Sequence, residues 1–214
     1  NGTGIDTWIP PEGYATRTDL DDMKNWVRPK TWTKDCVKGP IVAWHQQPSV
    51  LFEGKVRKWV PWTIRGMLWN QGDSNRVDAP RYTSKLHALW NGWSKLFENP
   101  KLPFVYNEQC HVGGEEFALV GRQIAFSDEN PCAAMVACND IIMPDVHGMR
   151  KEPLARRMVL QALKRVYGRT GLRTDSPRPV SAVSPDRRKA VSLNYARLRI
   201  ARCDYGYPGW GQEA

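Results

Sequence analysis

No apolar run in the 214 residues approaches the roughly 20 that a membrane-spanning helix needs, so no stretch reads as a span and no membrane partner is expected. The first residues carry neither the basic region nor the apolar core of a signal segment. Cysteine is sparse: Cys36, Cys110, Cys132, Cys138 and Cys203 show no CxxC and no Cys/His ligand spacing, which argues against a zinc site. Cys138 reads as a small buried hydrophobe, and a Cys36 to Cys110 disulfide stays open together with the redox compartment. Acidic residues are short as well, 22 against 31 Lys and Arg, which leaves a formal charge of +9. An anionic partner is one meaning of that charge. No nucleic-acid-binding motif accompanies it, so a basic surface is the simpler explanation and nucleic acid is not an expected partner.

What is present argues for a folded chain. The hydrophobic fraction is 41%, there are 10 Trp, and the length suits one α/β domain or part of a larger one. The most informative stretch is Thr63 to Asn75, T-I-R-G-M-L-W-N-Q-G-D-S-N. Its β-prone run, Ile64, Met67, Leu68 and Trp69, stops at a polar cluster, which is how a buried strand delivers side chains to a site at its carboxyl end. Gly72 permits a sharp turn or a close backbone approach, and Gln71, Ser74 and Asn75 offer hydrogen bonds to charge developing on a substrate oxygen. The bland alternative is a strand followed by an ordinary polar loop.

The flanking chain supplies an architecture. Residues 9 to 60 lack strong periodicity, and prolines and glycines interrupt every candidate element except a short helix around Asp19 to Val27, with Thr18 or Asp19 as N-cap. The Trp residues spread through this region either stack on sugar faces at a cleft rim or pin long loops to a core. His45 reads as a loop residue. From Pro80 to Phe97 apolar residues recur at helical spacing; Leu102 to Tyr106 reads as a strand, and Glu115 to Asp128 as a helix with Phe117, Val120, Ile124 and Phe126 inward. Ala133 to Cys138 reads as a third strand, and Glu152 to Tyr167 as a helix with an Ala155, Val159, Leu163, Val166 stripe that Gly168 ends. This alternation predicts right-handed βαβ units and a parallel sheet. From Thr174 the composition shifts to two alternating segments, Val180 to Val183 and Ala190 to Tyr195, around the turn-like Ser184 to Arg187.

The third strand runs into Asn139 to Gly148, where Asp145 precedes His147 by two residues. A carboxylate that fixes the tautomer of an imidazole and stabilises its protonated form suits a general base, although a lone loop His is usually inert.

Three of these segments together resemble the sialate O-acetylesterase family of the SGNH hydrolase superfamily. I-R-G-M-L-W-N-Q-G-D-S-N resembles the family block I-R-G-x-x-W-Y-Q-G-E-S-N, departing from it at Asn70 and Asp73. The opening N-G-T-G-I-D-T-W is similar to W-G-G-T-x-I-E-x-W, and P-D-V-H-G to N-D-I-H-P, with Gly148 in place of Pro. The resemblance implies a three-layer αβα SGNH-hydrolase fold, flavodoxin-like with a parallel sheet, incomplete at the N-terminus. It implies His147 as base, Asp145 as its acid with Asp140 in reserve, and Gly2 and Asn75 as oxyanion donors, with Gln71 and Ser74 facing substrate.

The family's serine nucleophile, in G-x-S form ahead of the glycine block, finds no counterpart here. Ser74 sits in the wrong block for that role, so the nucleophile is expected upstream of residue 1. The overall expectation is residues 1 to 173 as a partial esterase domain and 174 to 214 as a β-rich appendage. The resemblance implies action on acetyl esters of sugars, so an acetylated carbohydrate is the expected partner and no metal or organic cofactor is expected. The competing expectation is a non-catalytic esterase-like module that binds glycans. Export, periplasmic or extracellular, is expected.

Overall fold

A computed structural model describes residues 2 to 109, 116 to 138, 151 to 169, 182 to 183 and 190 to 191. Up to Pro61 the chain is a series of short helical turns joined by extended segments, among them α1 (Pro11–Tyr14) and α2 (Asp21–Lys24). The helix expected over Asp19 to Val27 breaks into a Thr18–Leu20 turn followed by α2, and neither Thr18 nor Asp19 caps it with its side chain. The Asp19 carboxylate accepts instead from Arg17 at 3.0 and 3.1 Å and from the Ser84 hydroxyl. Charge pairing outcompeted capping.

Beyond that region the expected alternation appears as β1 (Met67–Trp69), α3 (Tyr82–Leu96), β2 (Phe104–Asn107), α4 (Glu116–Glu129), β3 (Ala133–Val136) and α5 (Lys151–Tyr167). The strands form one parallel sheet in the order β1-β2-β3, with Met67 opposite Phe104 and Phe104 opposite Ala133. Side chains alternate across the sheet, so its two faces bury different residues. Met67, Phe104, Tyr106, Ala133 and Met135 join Leu86 and Leu89 of α3 and Leu119 and Phe126 of α4 in the main core. Val105, Ala134 and Val136 pack against Leu154 and Met158 of α5. Helix, sheet, helix is the three-layer α/β arrangement.

In α4 Val120 and Phe126 are buried and Ile124 packs on the core, as the periodicity predicts, with Leu119 and Gln123, both 0% exposed, beside them, and the side chain of Phe117 lies outside the described residues. The face of α5 differs from the periodicity reading. In α5 the buried residues are Met158 and Gln161, while Val159 is 49% exposed. The larger Leu154 and Met158, one turn apart, reach the strands and rotate the helix by one residue relative to the Ala155, Val159 stripe. Gly168 ends α5 as expected: its φ of +63° is left-handed, and the Arg169 N–H reaches back to the Leu163 carbonyl at 3.1 Å.

Tryptophans divide by environment. Trp8, Trp26 and Trp32 pack on the core, with indole N–H bonds from Trp26 to Gln47 Oε1 at 3.1 Å and from Trp93 to the Trp8 carbonyl at 3.1 Å. These fasten the long loops. Trp44, Trp59 and Trp62 are exposed. Near the C-terminus β4 (Ala182–Val183) pairs antiparallel with β5 (Ala190–Val191), within the two alternating segments. No helix among the described residues is long and apolar enough to cross a membrane.

Candidate active site

The polar turn after β1 is built around one close approach. A Cβ on Gly72 would lie 2.2 Å from Gln109 Cγ and 2.8 Å from its Cδ, so glycine lets this turn sit against the end of β2. Its φ of 171° is ordinary extended backbone, which makes the requirement one of space. The Gly72 carbonyl accepts from the Asn75 N–H at 2.8 Å, holding Asn75 inward at 0% exposure. The end of β2 is held in turn from α4. Gln123 donates to the Asn107 carbonyl at 3.0 Å and accepts from the Gln109 N–H at 2.9 Å.

A second turn meets this one. Gly2 has a left-handed φ of +58°, which favours glycine, and its carbonyl accepts from the buried Gln46 amide, whose Oε1 takes the Val42 N–H at 2.9 Å. Asn75 Oδ1 accepts from the Ile5 N–H at 2.8 Å and from Gln71 Nε2 at 3.0 Å, and Gln71 Nε2 also donates to the Thr3 carbonyl at 3.0 Å. Asn75 Nδ2 donates to Asp6 Oδ2 at 2.9 Å. Gly4 is tight against this knot, since a Cβ there would sit 3.2 Å from Asn75 Oδ1 and 3.4 Å from Asp6 Oδ2.

Behind it lies a buried charge cluster. Lys85 Nζ is 2.7 Å from Asp6 Oδ1 and also pairs with Asp78, with side-chain exposures of 0% for Lys85, 1% for Asp6 and 14% for Asp78. An ammonium so enclosed persists only with carboxylates in contact. Tyr82, fully buried, donates its hydroxyl to the Gln71 carbonyl at 2.9 Å and lies 3.1 Å from Gln71 Oε1. Burial pushes the Tyr82 phenol well above its ordinary range, so it remains a neutral donor. Tyr14 is raised in the same way, and its hydroxyl donates to the Asp6 carbonyl at 2.9 Å.

The structure thus brings Thr3 and Ile5, on the segment that follows Gly2, against Gln71 and Asn75, with Ser74 half-buried in the same turn. Gln71 Nε2 donates to both the Thr3 carbonyl and Asn75 Oδ1, so Gln71 braces the turn. His147, Asp145 and Asp140 lie outside the described residues, as do Cys110 and Cys203. His45, expected in a loop, lies exposed in the short Trp44–Gln46 helical turn, and its carbonyl accepts from the Thr7 hydroxyl at 2.8 Å. Among the described residues no group of three or more His, Cys, Asp or Glu side chains is placed to hold a metal ion.

Sequence reasoning missed Asp6, Lys85 and Gln46. A signal for Lys85 existed, because it falls on the core-facing stripe of α3 between Tyr82 and Leu86, where a lysine demands partners. Gln46 had none, being one glutamine in a loop.

The polar end of β2 continues as Glu108 and Gln109, 1% and 3% exposed. Glu108 accepts the Cys138 N–H on Oε2 at 3.1 Å, and its carbonyl takes the Cys138 thiol at 2.7 Å, tying the ends of β2 and β3. Buried polar side chains therefore follow β1 and β2 on the carboxyl side of the sheet.

Comparison with known proteins bears on this arrangement. The structure is similar to the crystal structure of a carbohydrate acetylesterase from Xanthomonas citri, with a TM-score of 0.54 and 21% identity over 79% of this chain. The chain spans 36% of the length of that protein, and at this identity the likeness shows the fold. No curated protein matches. A family model described as carbohydrate esterase, sialic acid-specific acetylesterase matches residues 35 to 150, more than half of the chain and including the turn that carries Asn75. The chain belongs to the family of sialic acid-specific carbohydrate acetylesterases.

Proposed function

We propose that this chain contributes the oxyanion donors, base and acid of an acetylesterase that removes acetyl groups from sugars. The observation that carries the reading is the convergence of the Gly2 to Ile5 turn and the Asn75 carboxamide in one bonded network after β1. A serine attacks the ester carbonyl, His147 takes its proton, and Asp145 orients the imidazole. The Gly2 N–H and one Asn75 Nδ2 hydrogen then hold the oxygen that becomes negative. Asn75 is 0% exposed, so on this reading the atoms that cover its amide move aside when the substrate oxygen reaches it.

The serine belongs to a segment outside these 214 residues. Two observations support that placement. Among the described residues β1 is paired on one side only, and Leu68 is 59% exposed where Val105 and Ala134, on the strands beside it, are covered by α5. A further strand beside β1, feeding a turn at the carboxyl edge, puts a nucleophile next to Asn75. Ser74 is held in the turn that places Asn75 and has a different task.

The test uses the full-length polypeptide and acetate release from O-acetylated sialic acid. Asn75→Ala is expected to lower kcat by about a hundredfold to a thousandfold, the usual effect of losing one oxyanion donor. Treatment with a serine-directed phosphonate and peptide mapping is expected to label a serine outside residues 1 to 214. Labelling at Ser74, or unchanged turnover in Asn75→Ala, overturns the assignment.

A further inference from the structure

An amide donor is useful only if its nitrogen end faces the developing charge, and a primary carboxamide can present either end. Asn75 is constrained on both. Its Oδ1 receives two donors, the Ile5 N–H at 2.8 Å and Gln71 Nε2 at 3.0 Å, while Nδ2 gives one hydrogen to Asp6 Oδ2 at 2.9 Å. Turning the group over would set Nδ2 against two N–H groups and Oδ1 against a carboxylate, with every partner mismatched. The partner that enforces this at the nitrogen end is Asp6, whose other oxygen is 2.7 Å from Lys85 Nζ.

We propose that Asp6, held between Lys85 and Asn75, is a positioning residue that fixes the Asn75 carboxamide in one orientation and leaves its second Nδ2 hydrogen for the substrate oxygen. The inference rests on the reading of Asn75 as an oxyanion donor. Lys85 has a distinct part in it. A bare carboxylate this close to an oxyanion opposes the charge that forms there, and an ammonium in contact with Asp6 offsets part of that field. Asp78, the second partner of Lys85, is farther toward solvent and completes the pairing of the ammonium. Gly4 has the same logic from the other side, because its missing side chain leaves room for both Asn75 Oδ1 and Asp6 Oδ2.

Asp6→Asn keeps the shape and removes the enforced polarity, since the new amide either turns nitrogen toward Asn75 or turns it toward Lys85. In the full-length polypeptide it is expected to lower kcat at least about tenfold with KM changed less than about twofold, a part of the loss seen when a donor is deleted outright. In an Asn75→Ala background the same substitution is expected to change kcat by less than about twofold, because there is no carboxamide left to orient. Asp6→Glu, which keeps the carboxylate, is expected to retain more kcat than Asp6→Asn.

Additive losses in the double variant, or Asp6→Asn more active than Asp6→Glu, overturn the proposal and leave the oxyanion role of Asn75 standing. An Asn75→Ala variant with unchanged kcat overturns that role first, and the proposal with it. Should Asp6→Asn not fold, the unsubstituted protein decides. Its two Asn75 Nδ2 hydrogens, followed by NMR, are expected to exchange with solvent at clearly different rates, and equal rates overturn the proposal.

Discussion

Where α1 crosses α3, two glycines face each other, and replacing one of them tests how the N-terminal turn is seated. A Cβ on Gly13 would lie 2.2 Å from the Ala88 carbonyl oxygen, and one on Gly92 would lie 2.3 Å from Pro10 Cγ and 2.9 Å from Gly13 Cα. The Ala88 oxygen is backbone in the middle of α3, so it cannot swing aside as a side chain would. A gap of 2.2 Å is roughly 1 Å short of van der Waals contact, so Gly13→Ala must lift α1 by about that much. Ile9 and Tyr14, 0% and 1% exposed, lose packing when it moves.

Overpacking where the neighbour yields costs about 1–3 kcal/mol, and a backbone neighbour puts this case near the top of that range even after alanine's helix preference is credited. The expected destabilisation is about 3 kcal/mol by urea unfolding, or roughly 6–12 °C in Tm for a chain of this size. Gly121→Ala is the control. Gly121 lies in α4 with open space where its Cβ would be, so alanine there is expected to stabilise by about 0.4–1 kcal/mol. Because both glycines serve one crossing, Gly13→Ala with Gly92→Ala is expected to cost less than the sum of the singles. A Gly13→Ala protein within about 0.5 kcal/mol of the unsubstituted one would refute the reasoning.

Two other outcomes follow from the same geometry. Gly72→Ala, whose Cβ would meet Gln109 Cγ at 2.2 Å, is expected to cost about 1–3 kcal/mol and to lower kcat as the Asn75 turn shifts. Adding Gln109→Ala is expected to restore part of both losses, and no restoration would show that the clash lies elsewhere. In acid, Glu12 is held below the usual carboxylate range by its hydrogen bonds to Arg57, at 2.8 Å from each oxygen. Its folded-state pKa is depressed, so its contribution to stability is present above the unfolded-state value and is lost as pH falls through the folded one. Urea midpoints measured from pH 7 down to 3 are therefore expected to fall more steeply for the unsubstituted protein than for Glu12→Gln, by a small margin because both side chains are about a third exposed. Parallel profiles would show that the pair does not form in solution.

The strands and long helices were legible because each carries its own period. β1 stops at Trp69, where the apolar run gives way to Asn70, and α3 ends at Leu96 with its stripe of Tyr82, Leu86 and Leu89 buried. Parallel pairing followed from alternation alone, since strands joined through helices must run the same way to share a sheet. The helix faces were less legible in α5, where two adjacent stripes compete. Periodicity chose Ala155 and Val159, while the reach of Leu154 and Met158 to the strands decided the packing. The loop region up to Pro61 was illegible for the opposite reason. Its elements are single turns held by contacts far along the chain, such as the Ser49 hydroxyl donating to the Ile9 carbonyl at 2.8 Å.

The candidate site divides along the same line. That Asn75 sits in a turn after a strand is local information, and the block around it carried it. What Asn75 does with its amide is set by Ile5, 70 positions away, and by Asp6, 69 away. Asp6 is in turn set by Lys85, on the helix that follows the Asn75 turn. A closed set of polar contacts between distant segments is worth little until every member is in place, because each missing partner leaves a buried group unsatisfied. The network therefore completes only once α1 has docked on α3 and the turn after β1 has settled against β2. A carboxamide held this way is vulnerable at positions outside its own turn: Gly4 leaves it room, Gly13 seats the segment that carries Ile5 and Asp6, and Lys85 pairs with the carboxylate that it meets.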